Sequence, residues 1–377
     1  MNTDMTGLPS PCYVLEEARL RENLQLIDRV QKASGTTIIL ALKGFAMWSA
    51  FPLVKEYLSG CSASSYNEAR LAREHFGGHV HLYAPAYTEA EFPALLELSD
   101  RISFNTLNQW QRFSEQALNN GVSCGLRINP EIKEVETAIY NPCATQSRLG
   151  IPADELAVLP EGVEGLHVHA LCECGADSTA RLIEAVEERF GQLLPGLKWL
   201  NLGGGHLMTR KGYDLELLVE VLNAFKQRHP HLDVVLEPGS AIAWDVGPLV
   251  STVLDVMHRG GVDIALLDTS ATAHMPDVLE MPYRPNVRDA DEPSAKAFTY
   301  RLGGMTCLAG DVIGDYAFDR ELKAGDRVIF EDMIHYTMVK TTMFNGVAHP
   351  SIAILHENGE VELVRQFDYS DYERRLS

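Results

Sequence analysis

Long apolar runs are missing from this chain. Across 377 residues, the longest such stretches are strand-sized and interrupted by charge, which excludes a helical membrane span. The opening residues, MNTDMTGLPSPCYV, have no basic n-region and no apolar h-region, so export is not expected. Cysteine is sparse: Cys12, Cys61, Cys124, Cys143, Cys172, Cys174 and Cys307 are odd in number and lack a framework spacing. Reduced thiols in the cytoplasm are the simpler reading. Positive charge is the largest deficit, with 32 Lys and Arg against 52 Asp and Glu, a net charge of −20. That field repels phosphate backbones, argues against nucleic acid, and favours a cationic small molecule. Solubility alone would also account for the acidity. Low-complexity segments and residue-level repeats are absent too.

What is present is alternation. Short apolar runs recur at 38–43 (IILALK), 61–65 (CSASS), 80–84 (VHLYA), 102–105 (ISFN), 123–129 (SCGLRIN), 165–170 (GLHVHA), 198–203 (KWLNLG) and 233–239 (DVVLEPG). Between them lie helical patterns, such as Leu20, Leu24, Ile27 and Val30, or Leu215, Leu218, Val219, Leu222 and Phe225. Gly35, Gly60, Gly77, Gly78, Gly121 and Gly191 are expected helix stops. Eight βα units predict a closed (β/α)8 barrel with its chemistry at the C-terminal strand ends. The longest gap, between the fifth and sixth strands, holds the irregular segment YNPCATQSRLGIP, a candidate functional excursion.

After about residue 245 the pattern changes to strand-like runs parted by Gly, Pro and Asp turns: LVSTVLDVMH, VDIALLDTS, AFTYRLGG, DRVIFEDM, YTMVKTT and VELVRQF. They predict a C-terminal all-β domain, a sandwich or distorted barrel. The expected division is 1–18 as an N-terminal strand joining the β domain, 19–245 as the barrel, and 246–377 as the β domain.

Lys43 ends an otherwise apolar run. Desolvation there would free its amine for imine formation, while a snorkelling surface lysine fits the same position. Gly203, Gly204 and Gly205 follow the seventh strand, where barrels often bind phosphate; a tight turn is the plainer alternative. Glu237, in LEPG, could hold a proton on a pyridine nitrogen, and His169 could stack on such a ring. Each signal is weak by itself. As a set they supply an amine, a stacking plane, a phosphate cradle and an acid, the four needs of pyridoxal phosphate.

On these residues the chain resembles the fold-type III pyridoxal-phosphate decarboxylases, which share an alanine racemase-like fold and include ornithine and diaminopimelate decarboxylases. The segments LDTSATAHMPDVLEMPYRP (267–285) and HVHALCE (167–173) look most like the carboxynorspermidine/carboxyspermidine decarboxylase branch. The resemblance implies decarboxylation to norspermidine or spermidine in polyamine biosynthesis. It makes Lys43 in ALKGF the Schiff-base lysine, His169 the stacking residue, Glu237 and Gly239 in EPG part of the cofactor site, and Gly203 to Gly205 the phosphate loop. GGMTCLAGD (303–311) resembles a loop whose cysteine, here Cys307, is the proton donor. In the family it enters the partner subunit's site, which implies a homodimer. Tyr336 in HYTM, ahead of FNG (344–346), resembles the tyrosine that contacts the cofactor phosphate.

Two departures bear on substrate. Diaminopimelate decarboxylases carry an acid where this chain has Leu308, and an arginine where it has Ser240. Loss of that arginine argues against a second substrate carboxylate. Asp277, Glu280 and Asp311 are candidates to receive distal ammonium groups, with His274 lining the same pocket; a solvated loop carboxylate or turn cap is the plainer alternative for each acid. Arg148 either pairs with a carboxylate or braces its loop. Two rivals remain: another basic amino-acid decarboxylase of this fold, such as one acting on diaminopimelate, and a metal-dependent hydrolase. The second would use His167 and His169 as a zinc pair near Cys172 and Cys174, but it leaves Lys43 and the glycines idle.

Overall fold

A computed structural model describes residues 7–135, 138–144 and 146–377. It falls into two compact units, Glu22–Ile242 and the pair Met1–Arg21 with Ala243–Ser377. Residues 1–6 of the anticipated N-terminal strand segment, and residue 145 of the irregular excursion, lie outside the described residues.

In the first unit the parallel strands Leu40–Ala41, Gly60–Ala63, His79–Tyr83, Arg101–Phe104, Ser123–Ile128, Val163–Val168, Trp199–Asn201 and Asp233–Leu236 neighbour one another in chain order. The first strand is one segment in two pieces. Thr37–Ile38 pairs with the eighth strand and Leu40–Ala41 with the second. The Ile39 N–H donates to the Leu236 carbonyl (2.9 Å) and the Leu42 N–H to that of Ser62 (3.1 Å), so this segment closes the sheet into the (β/α)8 barrel. Strands buried on both faces read as apolar runs; accordingly Ile38, Ile39, Leu40, Ala41 and Leu42 are at most 1% exposed.

Helices Leu107–Asn119, Ala176–Phe190 and Leu215–Arg228 cover the outside, each burying one stripe. Thr106 caps the first of them by accepting from the Gln109 N–H. Between strands five and six the described residues form no α-helix, only 3-10 turns at Ala138–Tyr140 and Ala153–Glu155. Gly35, Gly77 and Gly121 do end helices in the left-handed region, with φ of 62°, 70° and 72°. Gly60 does not: it starts the second strand, where a Cβ would lie 2.3 Å from the His79 carbonyl oxygen. Gly191 continues into a 3-10 turn, Gly191–Gly196.

The second unit is built on a mixed sheet. Its order is Ala290–Asp291, Val312–Phe318, Phe298–Gly303, Val262–Leu267, Leu249–Arg259, Cys12–Glu16, Ser351–Leu355 and Val361–Arg365, with Arg327–Phe330 also on Leu249–Arg259. Leu249–Arg259 changes partners at an irregularity between Val253 and Asp255, the kind of bulge that bends a sheet. Cys12, Val14, Val250 and Ala353 form its apolar centre. YTMVKTT, expected as a strand, is instead a 3-10 turn at Met338–Lys340, while Val312–Phe318 and Ser351–Leu355 are strands the pattern did not single out. No helix among the described residues is long and apolar enough to cross a membrane.

Candidate active site

Strand alternation turns every second residue into the barrel, and toward its C-terminal end those residues are polar. His81, Ser103, Asn105, Arg127, Asn129, His167, Asn201 and Glu237 are all buried. Lys43 follows the first strand in a tight turn in which the Gly44 N–H donates to the Ala41 carbonyl. A Cβ on Gly44 would lie 2.6 Å from the Gly239 Cα. The two glycines therefore let the ends of strands one and eight touch, which brings Lys43 and Glu237 into the same corner.

Burial pushes the Lys43 amine below its ordinary value, only partly opposed by the Glu237 carboxylate, and the Arg127 guanidinium lowers it further. The amine makes no hydrogen bond or ion pair among the described residues. A desolvated lysine left without a partner is destabilising unless it is used. Burial alone would raise the Glu237 carboxyl, but His167 and then His81 and Lys43 outweigh it and hold the group well below the usual carboxylate range. Glu237 Oε2 accepts from Asn201 Nδ2 at 3.0 Å, and Oε1 lies 3.2 Å from His167 Nε2. His169 is also pushed down, by burial and then by Lys43 and Arg127. Its Nδ1 accepts from the Gly204 N–H at 2.9 Å, which leaves the proton on Nε2. Lys43, His169 and Glu237 thus feel one another's charge at one end of one barrel.

The glycine run is shaped first by its neighbours. Gly203 and Gly205 have φ of 74° and 89°. Cβ atoms on the three glycines would lie 2.4 Å from the Val168 carbonyl oxygen, 2.6 Å from that of Glu237 and 2.2 Å from that of Leu171. The Gly203 N–H is spent on Asn201 Oδ1 and the Gly204 N–H on His169, so the expected phosphate cradle does not have these two amides to offer.

The second unit places its candidates on two short helices and a loop. Cys307 is exposed, and its N–H donates to Asn345 Oδ1 (2.8 Å) in the FNG segment. Asp311, 4% exposed, accepts from the Ser270 and Thr306 hydroxyls and the Thr306 and Thr272 N–H groups. Its carboxylate ties the Cys307 loop to Ala271–His274 and is not available as the expected ammonium receptor. His274 is likewise committed: Nδ1 accepts from the Ser270 N–H, Nε2 donates to the Ala348 carbonyl, and burial drops it to about 4. It lines no pocket. Asp277 Oδ2 accepts from Tyr283 and Thr337, whereas its Oδ1 is buried without a partner. Glu280 is exposed and pairs with Lys340, and half-buried Tyr336 lies edge-on to His335.

A family model described as the pyridoxal-dependent decarboxylase C-terminal sheet domain matches residues 12–334. The chain belongs to the pyridoxal-dependent decarboxylases. The carboxyaminopropylagmatine decarboxylase of Synechocystis sp. is 53% identical over 100% of this chain and 97% of its own length. The carboxynorspermidine/carboxyspermidine decarboxylase of Campylobacter jejuni is 42% identical, covering 98% of each chain. The crystal structure of carboxynorspermidine decarboxylase from C. jejuni in complex with norspermidine superposes at a TM-score of 0.90, over 98% of this chain and 100% of that one, at 42% identity.

A pyridoxal-dependent decarboxylase needs a free amine, an anionic acid and a flat neutral ring near one another, and Lys43, Glu237 and His169 fit that need. The zinc alternative does not fit as well. His167 and His169 turn to separate partners, Glu237 and Gly204, and no three ligating side chains converge among the described residues. Cys174 donates to the Cys172 carbonyl (3.3 Å), and burial lifts the Cys172 thiol to about 11. The Arg148 carbonyl accepts from Asn105 Nδ2 (2.8 Å), so its backbone braces the excursion.

Sequence reasoning missed Arg127, His81 and Asn201 as members of the site. Arg127 stands 4.4 Å over the Tyr83 ring and reaches the His169 carbonyl. Its signal was an arginine inside an apolar strand run, as His81 was a histidine inside VHLYA.

Proposed function

We propose that this pyridoxal-phosphate-dependent decarboxylase removes the α-carboxylate of a carboxylated polyamine, carboxynorspermidine or carboxyspermidine, giving norspermidine or spermidine and carbon dioxide. The observation that carries the chemistry is the unpartnered amine of Lys43, held beside the anionic Glu237. Bound pyridoxal phosphate supplies an electron sink that lets a carboxylate leave as carbon dioxide. Lys43, its basicity lowered by burial, would be the amine that holds the cofactor and yields to a substrate amine. Glu237 would be the acid facing the ring nitrogen and keeping it protonated. His169 would offer its flat face to the ring, and the Gly203 to Gly205 turn with Gly239 would border the phosphate by close backbone approach and not through the Gly203 and Gly204 amides. In the second unit, Tyr336 would serve as a phosphate contact and Cys307 Sγ as the donor of the proton that replaces the lost carboxylate.

The substrate class rests on the C. jejuni relative and on Ser240, which stands where diaminopimelate decarboxylases carry an arginine for a second carboxylate. Asp277, with one carboxylate oxygen still unpaired, and Glu280 serve the distal cations. A second reading, carboxyaminopropylagmatine, is favoured by the 53% identity to the Synechocystis enzyme; it changes the distal cation from ammonium to guanidinium. We place the enzyme in the cytoplasm, in keeping with seven free cysteines. We also assign it a homodimer in which Cys307 serves the partner's site. Exposed Met305, Leu308 and Phe344 beside Cys307 and Asn345 offer the apolar cover such an interface needs.

The test is carbon dioxide release from carboxynorspermidine, carboxyspermidine, carboxyaminopropylagmatine, diaminopimelate, ornithine, lysine and arginine. One of the first three should lead diaminopimelate in kcat/KM by at least about 100-fold; a diaminopimelate preference overturns the reading. In the same assay, mixed Lys43→Ala and Cys307→Ala subunits should regain activity through hybrid dimers. Verified hybrids that stay inactive would refute the shared site.

A further inference from the structure

Two buried imidazoles and an amide surround Glu237 without any role in the reaction so far. The Asn201 side chain is fully committed. Its Oδ1 accepts from the Gly203 N–H at 2.8 Å, and since a backbone N–H only donates, the amide cannot be flipped. Nδ2 therefore faces both Glu237 Oε2 (3.0 Å) and His81 Nδ1 (2.9 Å) as a donor. His81 Nδ1 must then be the bare nitrogen. The ring proton sits on Nε2, 2.9 Å from the Ser103 hydroxyl. Ser103, His81, Asn201 and Glu237 form one chain across strands four, three and seven to the end of strand eight.

The direction of every bond in that chain has a consequence. Protonating His81 at Nδ1 would set N–H against N–H and expel Asn201, so the neutral ring is built in. Burial and the neighbouring His167 ring, with centroids 5.4 Å apart, press the same way. An amide cannot pass a proton to a carboxylate, so Glu237 receives a donor on Oε2 and no exchangeable proton from that side. On its other side His167 Nε2 lies 3.2 Å from Oε1 without hydrogen-bond geometry, and its Nδ1 is buried with no partner either. The remaining titratable groups whose charge couples to Glu237 are Lys43, Tyr83, His169 and His206, and the Arg127 guanidinium, over the Tyr83 ring, acts on Lys43 and His169.

Resting on the reading that Glu237 faces the ring nitrogen, we infer that Asn201 and His81 are positioning residues. They fix Glu237 in orientation and as an anion, and so keep the cofactor's nitrogen protonated through turnover.

The experiment compares holoenzyme variants by turnover and by the absorbance of the bound cofactor titrated with pH. Asn201→Asp keeps an acceptor for Gly203 but sets a second carboxylate against Glu237, and the two must share a proton. It should lower kcat by roughly 10- to 100-fold, leave KM within about twofold, and add a pH-dependent step to the cofactor spectrum. His81→Gln, which can accept from Asn201 and donate to Ser103, should retain kcat within about threefold, while His81→Leu should lose about 10-fold or more. This pair decides the matter if Asn201→Asp does not fold. A wild-type spectrum and kcat in Asn201→Asp, or equal loss in both His81 variants, overturns the inference. Glu237→Gln is the control. If it too leaves turnover and spectrum unchanged, the ring-nitrogen reading has failed; if it alone collapses turnover, only the positioning role has.

Discussion

The two ends of the barrel carry charge in opposite ways. At the N-terminal ends of the strands, charges find partners within the protein. Arg101 pairs with Asp233 (2.8 Å), Thr37 donates to the same carboxylate, Arg73 pairs with Asp100 (2.8 Å), and Glu164 takes both Lys198 and the Ser123 hydroxyl. At the C-terminal ends Lys43 is left without a partner and Glu237 is held anionic by donors arranged around it. One end spends its electrostatics on holding strands in register, and the other keeps an amine and an acid poised for a ligand. Barrel architecture predicts this division; the residues show how it is made.

The sharpest way to break that contrast is Lys43→Ala. Turnover should fall by more than about 1,000-fold, and the near-visible absorbance of the tethered cofactor should vanish. The fold should not suffer, because the change removes a half-buried amine whose desolvation Glu237 only partly offsets and which makes no hydrogen bond or ion pair among the described residues. A variant that unfolds more easily than wild type would show that Lys43 holds the barrel together, and the contrast would be wrong.

The opposite end should respond in reverse. A methyl group in Gly60→Ala meets the His79 carbonyl oxygen at 2.3 Å, a backbone contact that cannot swing aside. Overpacking of this kind costs about 1–3 kcal/mol and lowers Tm by roughly 2–4 °C per kcal/mol. Turnover per folded molecule should stay within about twofold, since no element of the site begins at Gly60. Denaturation followed beside activity separates the two effects, and a selective loss of kcat would break the comparison from the other side.

Gly60 also shows where sequence reading runs out. A glycine after a helical pattern looks like a stop, and at Gly35, Gly77 and Gly121 it is one; only three-dimensional pairing reveals that Gly60 admits a neighbouring strand. The barrel itself was legible because a doubly buried strand is apolar along its whole length, so Lys43 stood out against IILAL. The second unit was less so. YTMVKTT alternates like a strand yet makes a 3-10 turn, and Val312–Phe318 directly follows a loop motif that drew attention to its chemistry. Residue type suggested Asp311 and His274 as ligand-facing groups. Whether a polar atom is already committed to the backbone is a property of packing, and theirs are. His81 and Asn201 were hidden for the converse reason, since their importance lies in which atom of each faces the other.

The smallest expected effect concerns Asp100. Its Oδ2 accepts from Arg73 Nη2 and from the Val80 N–H, both at 2.8 Å. Burial raises this carboxyl somewhat, but those two donors outweigh it and leave the group below its ordinary value of 3.8. A carboxyl depressed by folding stabilises the protein above its unfolded pKa and loses that contribution as pH falls through the folded one. Asp100→Asn should therefore be less stable than wild type at pH 7. With 40% of the side chain exposed, screening limits the difference to no more than about 1 kcal/mol. The gap should shrink as pH falls below about 4, because the wild-type carboxyl then protonates and loses its charge as well. Paired denaturation curves at pH 7 and pH 3.5, with turnover at pH 7 unchanged, are the expected pattern. A gap that widens in acid would mean that Asp100 is not held anionic by Arg73, and that the N-terminal end of the barrel is not closed by charge in the way its geometry indicates.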